Sequence, residues 1–350
     1  MNTQTENPIE LSIVVPLYNE NEVFGELVNR LAAVLEGLPF HAEVIFVDDG
    51  SADGTGELIR EACEKDDRFR GAVLSRNFGH QLAVTAGLHY ASGNAVAVID
   101  GDLQDPPEII LDFYRKLQEG YDVVYAIRRK RKENLFKRAA YRFFYRILRK
   151  LATIPIPLDS GDFCIMSRRV VQLINAFPER HRFIRGLRSW SGFRQVGYSY
   201  ERDARVYGQS KYTLSKLMLL ALDGIFTFSE KPLRWATYMG GTVALLSFIW
   251  AARTFVWRLV SNTPLPGFAT LAVGMFFLGG VQLITIGILG EYIGRIHNEV
   301  KGRPLYVVDC VYGLSRPEWP GDAAGRPTGS EAAWGQWVTA KATRGSRPPD

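Results

Sequence analysis

Residues 94–108 read NAVAVIDGDLQDPPE. An unbroken apolar run from Ala95 to Ile99 stops at two carboxylates one residue apart, Asp100 and Asp102. Pro106 and Pro107 follow, suited to the first turn of a helix. The run predicts a buried strand, and the order strand, acidic turn, helix is the repeating unit of an α/β domain. Two carboxylates in an extended turn, with Gly101 permitting close approach, can reach a hard divalent cation bridging a diphosphate. Acidic residues are also common in solvated turns, so the pair by itself leaves both readings open.

The flanking sequence repeats the plan. LSIVVPLYNE begins with an apolar run that stops at Pro16, after which Asn21 can cap a helix to about Leu35. EVIFVDDGS predicts a strand from Val44 to Val47, a polar turn over Asp48 to Asp53 and a helix through Ala62. GAVLSR is a third strand, and Asp122 to Ile127 a fifth. Strands separated by helices imply a mostly parallel sheet, which places ligands at the carboxyl ends of its strands. Those ends are Pro16 to Glu20, Asp48-Asp49, Ser75-Arg76, Asp100 to Gln104 and Arg128. No GxGxxG follows the first strand and no GxxxxGK[ST] occurs, so the Gly-rich phosphate cradles of dinucleotide and P-loop proteins are excluded.

The segments SIVVPLYNE, VDDGSADGT, LSRNFGHQLAVTAGLHYASG and VIDGDLQDPPE, in this order, resemble the inverting family 2 glycosyltransferases. Within them the likeness is to the polyprenyl-phosphate branch, over about residues 9–313. It implies a GT-A (Rossmann-like) domain that transfers a sugar from a nucleotide sugar to a polyprenyl phosphate with inversion. UDP-glucose and undecaprenyl phosphate are the first expectation, GDP-mannose the alternative donor. The resemblance assigns Pro16, Tyr18, Glu20, Val47, Asp49, Ser75 and Arg76 to the nucleotide pocket, with Asp100 and Gly101 beside them. Gly101 stands where relatives have Ala, read as a mild change. Asp100, Asp102 and Gln104 match a DxDxQ motif for Mg2+ or Mn2+, all oxygen donors. Arg128 matches an arginine near the phosphates of donor and acceptor. Arg205 and Lys211, in RVYGQSKY, match a basic loop that closes over the diphosphate, although a solvated loop reads the same way. Lys137 and Arg138 are candidates for the lipid phosphate. Asp162, in Ser160-Gly161-Asp162-Phe163, matches a candidate general base. A phosphate monoester has a second pKa of about 6 and needs little deprotonation, so a positioning role is expected for Asp162, beside Asp102 and Arg128 as the catalytic set.

Charge and hydropathy supply the acceptor side. The 350 residues carry a net charge of +5 with 47% hydrophobic residues, which excludes a disordered chain. Yet residues 128–150 hold eleven basic residues against Glu133 alone, a local +10 that leaves −5 for the rest. Phe136, Ala140, Phe143, Ile147 and Leu151 recur at helical spacing, giving a basic amphipathic helix over about 134–151; a second is expected over about 213–229. Such helices suit an anionic lipid surface. Phe268 to Gly290 contains no charged residue, and Trp235 to Trp257 only Arg253, so 231–296 reads as a transmembrane hairpin spanning about 235–257 and 268–290. Basic residues flank the hairpin outside its short loop, which places both ends, the catalytic domain and both termini on the cytoplasmic side of the inner membrane. MNTQTENPIE has no secretory character.

The resulting organisation is a catalytic domain over 1–230, the hairpin over 231–296, a cytosolic segment over 297–313 and a disordered tail over 314–350 rich in Pro, Gly, Ala and Ser. A homo-oligomer is expected. Cys63, Cys164 and Cys310 have no metal or disulfide spacing. His41, His80, His89, His181 and His297 have no ligand spacing and read as structural or surface residues. Nucleic acid binding is set aside because two spans accompany the basic helix. A processive synthase would need more spans and a QxxRW motif, where Lys231-Pro232-Leu233-Arg234-Trp235 has Lys for Gln. A membrane scaffold with a degenerate nucleotide fold is the non-enzymatic alternative.

Overall fold

The computed structural model describes residues 8–129, 160–180, 182–201, 231–260 and 267–314. It divides into a catalytic unit and a helical hairpin unit, taken separately here. The catalytic unit is built on strands β1 (Leu11–Leu17), β2 (Ala42–Asp48), β3 (Phe69–Leu74), β4 (Ala95–Val98), β5 (Val123–Arg129), β6 (Ser160–Ser167), β7 (Gln195–Glu201) and β8 (Val308–Tyr312). Its helices are α1 (Asn21–Glu36), α2 (Thr55–Lys65), α3 (His80–Tyr90), α4 (Ile110–Gln118), α5 (Arg168–Ala176) and α6 (Ile184–Trp190). The sheet order is β7-β5-β6-β4-β1-β2-β3-β8. All strands run in one direction except β6 and β8, which are antiparallel to their neighbours.

Period-two alternation divides the central strands between two cores. Ile13, Val15 and Phe46 face a layer with Phe24, Leu27, Ile59 and Phe113 of α1, α2 and α4. Val14, Ile45 and Val47 face Val84, Leu88, Val170 and Ile174 of α3 and α5. Burial on both faces explains why these strands read as continuous apolar runs. Helix and sheet approach closely at Gly87, where a Cβ would lie 2.2 Å from Val14 Cγ1. The α1 cap differs from expectation. Glu20 occupies the cap position without a side-chain bond, and Asn21 is the first helical residue. The Asn21 amide instead donates to Asp53 O at 2.8 Å, tying the turn after β1 to the turn after β2.

The hairpin unit contains α7 (Lys231–Val260, 30 residues) and α8 (Phe268–Val300, 33 residues). Leu233–Trp257 and Val273–Val300 are long and apolar enough to cross a bilayer. Their outward faces carry large apolar side chains, Phe248 and Phe276 among them. Helix α8 continues ten residues past the apolar run ending at Gly290, since Glu291 and Arg295 pair at 3.1 Å one turn apart, Gly294 stays helical between them, and the backbone turns left-handed only at Gly302.

The segment after α8, read as a simple cytosolic extension, belongs to the catalytic sheet. β8 pairs with β3, setting Gly71 against Tyr312 and Val73 against Cys310. Ser75 N donates to Val307 O at 2.9 Å. Ahead of the strand, Tyr306 is buried and its hydroxyl lies 2.8 Å from His89 Nδ1 on α3. Burial, reinforced by Arg182, pushes His89 down to about 4. A folded pKa below the unfolded value of about 6.5 means that the unfolded chain binds the extra proton. Stability from this site is present above pH 6.5 and is lost as the pH falls toward 4. In full-length protein, His89→Gln is therefore expected to flatten the fall in denaturation midpoint between pH 6.5 and 4. An unchanged slope would remove His89 from that role.

Candidate active site

The carboxyl ends of β1, β2, β3 and β4 open on one rim of the sheet, and the start of the reversed strand β6 reaches the same rim. On the β1 and β2 side, two turns are cross-linked. Asn19 N donates to Ser51 Oγ at 2.9 Å, Ala52 N donates to Asn19 Oδ1 at 3.0 Å, and Glu20 N donates to Thr55 Oγ1 at 3.2 Å. Asn19 adopts φ +54°, a left-handed conformation that asparagine tolerates. Tyr18 is exposed on this rim, whereas Pro16 and Val47 are buried in their strands, Val47 within the core. Those two therefore support the rim from beneath.

Asp49 faces the turn after β3. Its carboxylate accepts from Phe78 N at 2.7 Å and Gly79 N at 2.9 Å, holding the chain that enters α3. Burial raises its pKa, opposed by these bonds and by His80 and Arg76. Gly50 follows at φ +70°, and a Cβ there would lie 2.3 Å from the Arg76 carbonyl carbon, so only glycine lets the second and third turns meet this closely. Ser75 is exposed, and the Arg76 guanidinium lies 4.0 Å from the Phe78 ring centroid.

The turn after β4 is strained at one residue. Leu103 has φ +55°, costly for a branched side chain, and its burial in the core holds it there. The result is an Asx turn in which Gln104 N donates to Asp102 Oδ1 at 3.1 Å. Gly101 is buried against Leu17. A Cβ would lie 2.3 Å from Leu17 Cδ2, the far end of a flexible side chain, so alanine here requires only that Leu17 turn aside. Asp105 is fully buried and accepts from the Tyr200 hydroxyl, linking this turn to the end of β7.

Asp162 stands opposite Asp100, with His80 between them. His80 Nε2 lies 3.6 Å from Asp100 Oδ1 and 3.4 Å from Asp162 Oδ2. Arg185 grips Asp162 bidentately, Nε to Oδ1 at 2.6 Å and Nη2 to Oδ2 at 2.8 Å. Gln81 Nε2 donates to Asp162 Oδ2 at 3.4 Å. Burial alone would raise Asp162, but Arg185 and His80 outweigh it and hold the carboxyl far below the usual range. Burial disfavours charge on His80 too, yet Asp162 and Asp100 raise its pKa. Asp100 is pushed up to about 6, first by burial and then by Asp162, Asp105 and Asp102 against the opposing His80.

Asp100 Oδ1 is buried without a hydrogen-bond partner, and Asp102 lies two residues on. Among the described residues, no three His, Cys, Asp or Glu side chains form a cage for an ion. That donor set fits a hard cation taking one or two carboxylates from protein and the rest of its shell from water and phosphate.

The structure thus gathers Asp49, Asp100, Asp102, Gln104 and Asp162 on one rim with Tyr18, Glu20, Ser75 and Arg76. Arg128 lies in β5, paired in register with Tyr200. Lys137, Arg138, Arg205, Lys211 and both amphipathic segments lie outside the described residues. Sequence reasoning missed His80, Gln81 and Arg185. His80, read as structural or surface, sits between the two key carboxylates. The available signal was the pair His80-Gln81 directly after Gly79, at the start of a helix following a strand end.

Comparison with known proteins agrees with this architecture. A model described as glycosyl transferase family 2 matches residues 12–174, and one described as the GtrB C-terminal hairpin matches 231–296. The glycosyltransferase YkcC of Bacillus subtilis is 45% identical over 87% of this chain and 95% of its own. The SfII prophage-derived bactoprenol glucosyl transferase of Shigella flexneri is 43% identical over 86% of this chain and 97% of its own. Among solved structures, the mannosyltransferase PcManGT of Pyrobaculum calidifontis aligns at a TM-score of 0.40 and 17% identity, over 86% of this chain and 89% of that one, so the assignment rests on the sequence relatives. With its mostly parallel GT-A sheet, its rim of carboxylates and its apolar hairpin, the chain belongs to the family 2 glycosyltransferases.

Proposed function

We propose that the protein transfers glucose from UDP-glucose to undecaprenyl phosphate at the cytoplasmic membrane face, with inversion. The observation that carries this reading is a carboxylate rim on a sheet whose last two strands, β7 and β8, enclose the hairpin in the chain. Among the described residues, β7 precedes the hairpin in the chain and β8 follows it, and both belong to one sheet. Two spans between them then leave the donor site and the hairpin ends on one side of the bilayer. The relatives named for bactoprenol glucosyl transfer support the acceptor.

Tyr18, Glu20, Ser75 and Arg76, backed by Pro16, Val47 and Asp49, form the proposed wall for base and ribose. Asp49 retains lone pairs beyond those used by Phe78 and Gly79, available to a base N–H or ribose hydroxyl. Asp100, Asp102 and Gln104 would hold Mg2+ or Mn2+, which supplies Lewis-acid stabilisation of the diphosphate as it leaves. Arg128, Arg205 and Lys211 add cationic stabilisation, and Lys137 and Arg138 with Arg128 draw in the lipid phosphate. Asp162, held ionised by Arg185, positions neighbouring groups around the reacting centre.

Offered labelled nucleotide sugars with undecaprenyl phosphate and Mg2+ or Mn2+, purified full-length protein should move label from UDP-glucose into the organic phase. Label retained in water with every donor, or moved only from GDP-mannose, would overturn the reading as stated. Asp102→Asn should lower transfer by about 10²-fold or more, the effect of losing several kcal/mol of charge stabilisation. Wild-type rates in that variant would remove Asp102 from the chemistry. For topology, single cysteines replacing Asn262 and Lys301 in a cysteine-free background should react differently with an impermeant maleimide. Asn262→Cys is expected to label in intact spheroplasts and Lys301→Cys only after lysis; labelling of both from outside would contradict the arrangement.

A further inference from the structure

We infer that Arg185 restricts the acceptor to an oxygen that is already anionic, by covering the Asp162 carboxylate so that it cannot activate water or a lipid alcohol. The inference rests on the transferase reading above and names the acceptor class within it.

A carboxylate offers about four acceptor positions. At Asp162, Arg185 donates one bond to each oxygen through its planar fork, at 2.6 Å to Oδ1 and 2.8 Å to Oδ2, while His80 and Gln81 both approach Oδ2 at 3.4 Å, so the crowding falls on Oδ2 and Oδ1 holds the shorter guanidinium bond. The clamp is itself braced. Gln81 Oε1 accepts from Ile184 N at 2.9 Å, so the side chain that reaches Asp162 also fixes the residue preceding Arg185. Asp162 is 11% exposed and Arg185 33%, so the pair is reachable from the rim without being freely solvated. A bidentate guanidinium is the partner that a carboxylate exchanges least readily for a single proton.

The chemistry then separates acceptors by charge. With a phosphate monoester, an anionic oxygen attacks C1, the C1–O bond to the diphosphate breaks, and the diphosphate leaves with the bonding electron pair. No proton has to move. With water or an alcohol, the same bonds form and break, but the attacking oxygen must also lose a proton to a base. Asp162, across His80 from Asp100, is the carboxylate of that pair not assigned to the metal and so the one left to take it. While Arg185 occupies Asp162, that step lacks its base, and the activated sugar is protected from hydrolysis when the site holds donor alone. Arg185 is thus a positioning residue acting through Asp162.

The test measures partition. Full-length protein in detergent receives labelled nucleotide sugar with undecaprenyl phosphate, with undecaprenol, or with no lipid, and label is followed as free sugar and as lipid-linked sugar. Wild type should glycosylate the phosphate, leave the alcohol untouched and hydrolyse donor slowly. In Arg185→Gln the ratio of hydrolysis to phosphate transfer should rise at least about tenfold, below the ~10²–10⁴-fold that a positioned base contributes. The alcohol should begin to accept sugar. Adding Asp162→Asn to Arg185→Gln should abolish both gains, which a merely structural role for Arg185 would not produce. Arg185→Lys, which keeps the charge but not the fork, should raise the ratio by a smaller step and decides the matter if Arg185→Gln does not fold. An unchanged ratio, or a gain that survives loss of Asp162, overturns the inference while leaving the transferase intact. A wild type that delivers no sugar to the lipid phosphate overturns the acceptor reading itself, and this inference with it.

Discussion

The antiparallel pairing of β6 with β4 is the constraint on which the site depends. Its register sets Val98 against Cys164, and two residues beyond that pair in each direction come Asp100 and Asp162. A reversed strand inserted among parallel ones brings its beginning to the rim where its neighbours end. Had β6 run parallel, Asp162 would lie at the opposite end of the sheet. Like charges facing across two strands repel, so the pairing creates an electrostatic demand that the local fold must meet. His80 enters between the carboxylates from the first turn of α3, and Arg185 closes on Asp162 from α6. The demand is met unequally. Asp162 becomes a strongly stabilised anion, whereas Asp100 stays proton-avid and retains a buried oxygen with no hydrogen bond, 3.6 Å from His80.

That inequality separates two tasks. A buried oxygen with no hydrogen bond and only the more distant His80 beside it is costly unless a cation or proton arrives, which makes Asp100 the carboxylate prepared for a ligand. An anion whose oxygens are already covered serves as fixed charge. Strain accompanies the arrangement. Asn19 and Leu103, the two non-glycine residues at positive φ among those described, both lie in turns of this rim. Leu103 is retained in its unfavourable conformation by core packing, so hydrophobic burial below the rim fixes the direction of the carboxylates above it.

Much of this was legible in the sequence. Strands buried on both faces advertise themselves as apolar runs, and the polar residues ending them mark the rim, so β1 to β5 and the Asp100–Asp102 turn could be read locally. What could not be read depends on pairing between distant segments. β8 is five residues of ordinary composition whose strand character comes from β3, about 240 residues earlier in the chain. Arg185 lies in a short helix with no motif around it, and its importance appears only when β6 delivers Asp162 to it. His80 lacked ligand spacing because its partners are carboxylates on other strands. Val47, assigned to the nucleotide pocket by resemblance, has its side chain in the core, so it backs the rim from beneath.

The return of the chain to β8 also bears on how the hairpin is joined to the catalytic sheet along the sequence. An independent anchor needs only one attachment, but here the sheet is incomplete without residues that follow the hairpin. Tyr306 packs against His89 at the far end of α3, and the same helix presents His80 and Gln81 to Asp162 at its start. Because β8 follows both hairpin helices in the chain, the catalytic sheet is completed by a segment synthesised after them. A chain interrupted before β8 would lack the edge strand on β3 and the Tyr306 contact with α3, which ties completion of the sheet to a segment that lies beyond the hairpin in the chain.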